Sequence, residues 1–208
     1  MALVKYNNNS ISSVTALDSM ASGSMVLLTT NTITSGVSSS SFTSNINSTY
    51  DTYIFKFINI HPASDNTAFQ FNLSTDGGSN YNVTKTTTYF FGYHTEDGSA
   101  TNLGYLPSAD LAQSTSYQDL ATTAASSGLS SDNDNSASGY LHLFSPSSTT
   151  FVKHFISRIQ YNQHADISTD SYIAGYGNTT SAINAIDFKM SSGNIDSGVI
   201  KMYGLSKS

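Results

Sequence analysis

Apolar and polar positions alternate with a period of two in several stretches of this chain. Over residues 68–73, Phe69, Phe71 and Leu73 point one way and Gln70 and Asn72 the other. Over residues 185–190, Ile186, Phe188 and Met190 alternate with Asp187 and Lys189. Residues 53–60 carry apolar side chains on both faces and read as a strand covered on both sides. His61-Pro62 predicts its stop, because proline cannot donate to a ladder. Asp76-Gly77-Gly78 supplies the positive-φ positions of a turn.

Further short strands are expected at 24–30, 42–46, 81–85, 88–94, 140–144, 150–161, 171–176, 182–190 and 198–205. A serine-rich linker falls at 36–41, and 96–104 and 128–139 read as loops. One helical pattern stands out: Tyr117, Leu120, Ala121, Ala124 and Ala125 share a face, and Ser116 with Asp119 offers a capping pair, predicting a helix over 116–125. Many short strands with one minor helix predict an all-β fold, an antiparallel β-sandwich of jelly-roll type with at most one or two short helices. The expected core holds Tyr53, Phe55, Phe57, Phe69, Phe71, Leu73, Ile186 and Phe188. Residues 23–208 are expected to form a single domain. Residues 1–22 are polar with sparse apolar anchors, Leu3, Val4, Tyr6, Ile11, Val14 and Leu17, and read either as an assembly arm or as a flexible terminus.

Composition narrows the function. Ser, Thr and Asn make up more than a third of the 208 residues, a bias towards strands and turns. Aromatic content of 12 % demands a core and argues against disorder. Only 11 % of residues are charged, with a net charge of −6, one arginine (Arg158) and one glutamate (Glu96). A nucleic-acid partner needs clustered cations and is not expected. No cysteine is present, which excludes disulfides and thiolate metal sites. No signal peptide or membrane span is read, since the apolar run at 25–28 is too short, and no membrane partner is expected.

Candidate chemistry is thin. Asp132-Asn133-Asp134-Asn135-Ser136 resembles the start of a calcium loop, but Ala137 stands where a glycine is needed and Leu143 where a bidentate glutamate is needed. His61, His94, His142, His154 and His164 show neither the i, i+4 spacing of a helical zinc site nor an alternating strand pair. No Gly-x-Ser-x-Gly elbow and no phosphate-binding glycine loop occurs. No catalytic residue, metal ligand or cofactor is therefore expected. The aromatic cluster Tyr89, Phe90, Phe91, Tyr93 and Tyr105 reads as core and edge packing or as a contact surface, and such rings could also stack on sugars.

Two segments carry a resemblance. Residues 50–81, with the Tyr-x-x-Tyr-x-Phe-x-Phe strand, the Pro-Ala-Ser-Asp-Asn loop and the Ser-Thr-Asp-Gly-Gly turn, resemble a module of tailed-bacteriophage virion proteins. Residues 183–205, INAIDFKMSSGNIDSGVIKMYGL, resemble the closing strand pair of the same proteins, and the opening MALVKYNNNSI is similar to N-termini of structural proteins in marine and cyanobacterial phages. The resemblance implies a structural, non-enzymatic role and a location in the virion. It implies a capsid decoration or cement protein bridging subunits of the major capsid protein, or else a tail, neck or fibre component that contacts other virion proteins and binds a host glycan. It also implies a homotrimer.

Overall fold

In the computed structural model, residues 25–122 and 128–205 are described. Twelve strands are present among them: β1 (Met25–Ile33), β2 (Ser40–Phe42), β3 (Thr52–Pro62), β4 (Phe69–Ser74), β5 (Lys85–Thr95), β6 (Thr101–Tyr105), β7 (Gln118–Ala121), β8 (Ala137–Phe144), β9 (Lys153–Gln163), β10 (Ile167–Gly177), β11 (Ala185–Met190) and β12 (Ile195–Leu205). A single 3₁₀ turn, Pro107–Ala109, follows β6. The strands form an eight-stranded sheet, β1-β12-β3-β8-β9-β10-β5-β6, and a four-stranded sheet, β2-β11-β4-β7. Every pairing is antiparallel.

The order defines the topology. Pairs β1·β12 and β3·β8 lie in the large sheet, and pairs β2·β11 and β4·β7 in the small one. These are the four pairs of one long antiparallel ribbon that runs out through β1–β4 and returns through β7, β8, β11 and β12. Rolling the ribbon brings β12 beside β3 and β11 beside β4, which makes a jelly roll. The hairpins β5–β6 and β9–β10 are insertions, and both widen the large sheet.

The alternating residues explain how the sheets hold together. Tyr53, Phe55, Phe57, Phe69, Phe71, Leu73, Ile186 and Phe188 are all at most 2 % exposed. Phe188 sits at the centre, its ring within 5.1–6.5 Å of Phe42, Phe55, Phe57, Phe69 and Phe71. Each such ring contributes roughly 1.5–3 kcal/mol through burial.

Several expectations are corrected. Residues 118–121 form β7, not part of a helix: Gln118 turns inward, where Nε2 donates to the Ala109 carbonyl at 3.0 Å and Oε1 accepts from Thr87 Oγ1 at 2.6 Å. Residues 116, 117 and 122 of the expected helix are not helical either, and 123–125 lie outside the described residues. Residues 81–84 are not strand, because side chains take their carbonyls: Asn72 Nδ2 donates to Tyr81 at 2.7 Å and Lys85 Nζ to Val83 at 2.8 Å. The strand expected at 42–46 is β2, ending at Phe42, before Asn45 at φ 66°. Residues 101–104, read as loop, belong to edge strand β6. Ala137–Gly139, read as loop, opens β8. His61 and Pro62 belong to β3. Pairing with β8 has ended by then, so Pro62 faces only β12, across its bulges. The Asp76-Gly77-Gly78 turn forms as expected, with φ of 74° and 91° at the glycines. Asn80 and Ser74 hydrogen-bond the Asp76 carboxylate and lower its pKa to about 2.

Candidate docking face

The small sheet covers one face of the large sheet. The other face is open among the described residues, and residues two apart on each strand point to it. In β3 these are Ile54, Lys56 and Ile58: Ile54 is buried at 7 % exposure, Lys56 and Ile58 are exposed, and no second sheet among the described residues covers this side of the strand. Nine large hydrophobic residues are exposed among the described residues, and eight of them, Met25, Leu27, Ile58, Phe90, Leu103, Tyr105, Tyr140 and Ile156, lie on this one face. The ninth, Phe151, precedes β9. Apolar surface gathered in this way marks a contact site more often than a bare surface.

Strand register lines up a row across the face. Lys201 is opposite Lys56, Lys56 opposite Tyr140, and Tyr140 opposite Arg158. Arg158 is opposite Tyr172, Tyr172 opposite Phe90, and Phe90 opposite Tyr105. Six strand spacings make the row roughly 29 Å long. Its middle is fixed by stacking: the Arg158 guanidinium lies 5.0 Å from the centre of the Tyr172 ring, and Phe90 lies parallel to Tyr172 at 5.0 Å and 5°. Tyr172 is thus flanked on both faces. Arg158 grips Asp170 through Nε at 3.0 Å and a terminal nitrogen at 2.6 Å, and the Tyr172 hydroxyl donates to the same carboxylate at 2.9 Å. The carboxylate raises the pKa of both groups, first through these hydrogen bonds. At the row's end the Tyr105 hydroxyl donates to the Asp110 carboxylate.

Beside the row the small residue Ala174, between Tyr172 and Tyr176 on β10, leaves two shallow dents. One, of about 230 Å³, is bordered by Phe90, Tyr140, Ile156, Arg158 and Tyr172. The other, of about 340 Å³, is bordered by Thr86, Thr88, His154, Ile156 and Tyr176. Both are mainly apolar and open to solvent.

The expected contact residues divide between two faces. Phe90 and Tyr105 stand on the open face, 43 % and 55 % exposed. Tyr89 and Phe91 alternate with Phe90 and are buried, and Tyr93 stacks on Phe91. The Tyr89 hydroxyl donates to the Thr122 carbonyl at 2.6 Å and accepts from the Thr122 amide at 2.9 Å, with Ser171 Oγ also at 2.6 Å, so it cannot meet a partner. The arm anchors Leu3, Val4, Tyr6, Ile11, Val14 and Leu17 lie outside the described residues. The structure adds Tyr140, Ile156, Arg158 and Tyr172 to the face. Their alternation in β8, β9 and β10 is readable, but which side of the sheet stays open is not.

Other concavities offer less chemistry. A cavity of about 230 Å³ bordered by Asn66, Gln70, Ser108, Asp119 and Ser191 holds one carboxylate, Asp119. Burial raises its pKa, and Gln70 Nε2 donates to it at 2.6 Å. A polar dent holds Asp134, Asp196 and His61, whose Nδ1 lies 2.8 Å from the Asn135 carbonyl. Among the described residues no group of three or more His, Asp or Glu could hold a metal ion. Comparison with protein-family models, curated proteins and solved structures gives no match.

Proposed function

We propose that this chain is a structural, non-enzymatic component of a tailed-bacteriophage virion, seated on the outside of the capsid as a decoration subunit that bridges major capsid subunits. The gathering on one sheet face of eight of the nine large hydrophobic residues exposed among the described residues carries this reading. A subunit that works by holding surfaces together needs a rigid scaffold with one such face. The jelly roll supplies the scaffold, and the Arg158–Tyr172–Phe90 stack fixes side chains in place before contact, which lowers the entropy lost on docking. The resemblance of residues 50–81 and 183–205 to phage virion modules supports the setting. Low charge suits an outer position better than one facing packaged DNA. On the particle the subunits are arranged as homotrimers.

Quantitative mass spectrometry of purified particles tests the reading. Hundreds of copies per particle are expected. A dozen or fewer would assign the chain to the tail, neck or a fibre, and absence from the particle would overturn the virion assignment.

A further inference from the structure

We infer that the open face is built for an acidic protein surface, whose carboxylates seat against Lys56 and Lys201. The inference rests on the docking role proposed above and names the chemistry of the partner.

Lys56 and Lys201 stand directly opposite each other on β3 and β12. Like charges in that position repel and weaken the strand pair. The one ion pair among the described residues is Arg158–Asp170, so neither lysine is neutralised by one. The eight strands carry two carboxylates. Asp170 is bound by Arg158 and Tyr172, and Asp196 sits at the far end of β12, beside Ile195. The remaining described carboxylates lie in loops or on the small sheet. A chain of net charge −6 therefore concentrates unpaired cations on its most apolar face.

Apolar neighbours sharpen the effect. Lys56 Nζ lies 5.6 Å from the centre of the Tyr203 ring, and Tyr140 and Ile58 flank Lys56 across and along its strand. A carboxylate brought here by a partner is shielded from water, where opposite charges attract more strongly. Two other occupants fit less well. A second copy docked face to face about a two-fold axis at the lysine pair sets cations against cations. A sugar needs an open aromatic face: Tyr172 offers none, being covered by Arg158 and Phe90, and the exposed rings of Phe90 and Tyr105 lie at the opposite end of the row from Lys56 and Lys201.

The substitution Lys56→Glu tests the inference. It replaces an opposed like pair by an opposed unlike pair, so a merely structural role predicts higher stability and nothing else. Purified protein is titrated onto undecorated particles over a range of salt concentrations, and its melting temperature is measured in parallel. The expected result for Lys56→Glu is a raised melting temperature, affinity for the particles lowered at least tenfold, and a flatter salt dependence than wild type. Wild-type affinity in Lys56→Glu, with the wild-type protein binding particles, overturns the inference and leaves the docking role standing. Failure of the wild-type protein to bind particles overturns both. Binding of the wild-type protein to isolated host surface polysaccharide, abolished by Lys56→Glu while particle binding is unchanged, overturns the assignment of a protein partner.

Discussion

Phe71 of the small sheet and Phe155 of the large sheet meet edge to face, with ring centres 5.0 Å apart and planes at 84°. Phe71 belongs to the rolled ribbon, on β4, and Phe155 to the inserted hairpin, on β9. The contact therefore ties the insertion to the jelly roll. Urea unfolding of Phe71→Leu, Phe155→Leu and the double variant should give a coupling of about 0.5–1.5 kcal/mol. Additive effects would mean that the insertion folds without support from the small sheet.

The central ring is expected to matter more. Phe188→Ala removes a side chain that touches five other rings, and should cost roughly 3–5 kcal/mol in the same measurement. A cost under 1 kcal/mol would mean that the core closes readily around the gap.

Lys85 sets a pH dependence. It is fully buried, with Nζ donating to Asn72 Oδ1 at 2.5 Å and to the Val83 carbonyl at 2.8 Å, and burial lowers its pKa from 10.5 to about 7. Between those values the unfolded chain binds the proton that the folded chain has released. Stability therefore rises from pH 7 towards 10.5 and loses this contribution as pH falls back to 7. Tyr89 opposes the rise at its upper end: burial raises its pKa, so above pH 10 the unfolded chain ionises first. Thermal melts should show stability climbing between pH 7 and 10, with a smaller slope in Lys85→Met. An unchanged slope in that variant would assign the effect elsewhere.

How far the sequence shows this fold depends on what each residue does. Phe69, Phe71, Leu73, Ile186 and Phe188 announce themselves by alternation, and all are core. Gln118 does not, because a polar side chain satisfied inside by Thr87 and Ala109 looks in sequence like a surface residue. With Gln118 read as surface, Tyr117, Leu120 and Ala121 fit a helical period. Strand β6 hides for the opposite reason: it is an exposed edge, and Leu103 is 78 % exposed. The docking face was half legible. Phe90 and Tyr105 were singled out, but Tyr89 and Phe91 were included with Phe90, although alternation sends them to the other side. The row itself depends on register between strands far apart in sequence, and no local pattern encodes it.

Exposed apolar residues of the face should separate binding from stability. Leu103→Ser changes stability by less than about 0.5 kcal/mol, because Leu103 is 78 % exposed, and Ile58→Ser, at 39 % exposure within β3, costs about 1 kcal/mol. Each should nevertheless weaken binding to undecorated particles. Particle affinity equal to wild type in both variants would remove this face from the contact.

The N-terminal anchors make a separate prediction. If the anchors Leu3, Val4, Tyr6, Ile11, Val14 and Leu17 form an assembly arm, deletion of residues 1–22 leaves the circular dichroism spectrum and melting temperature unchanged and abolishes incorporation into particles. Normal incorporation of the truncated protein would rule out an assembly arm.

Cryo-electron microscopy of the intact particle shows which side of the jelly roll meets the shell. The account predicts density for many copies, grouped in threes, with the β9–β10 face against the capsid and Lys56, Lys201, Phe90 and Tyr105 in the contact. Density in which that face points to solvent, with the small sheet β2-β11-β4-β7 on the shell, would contradict it.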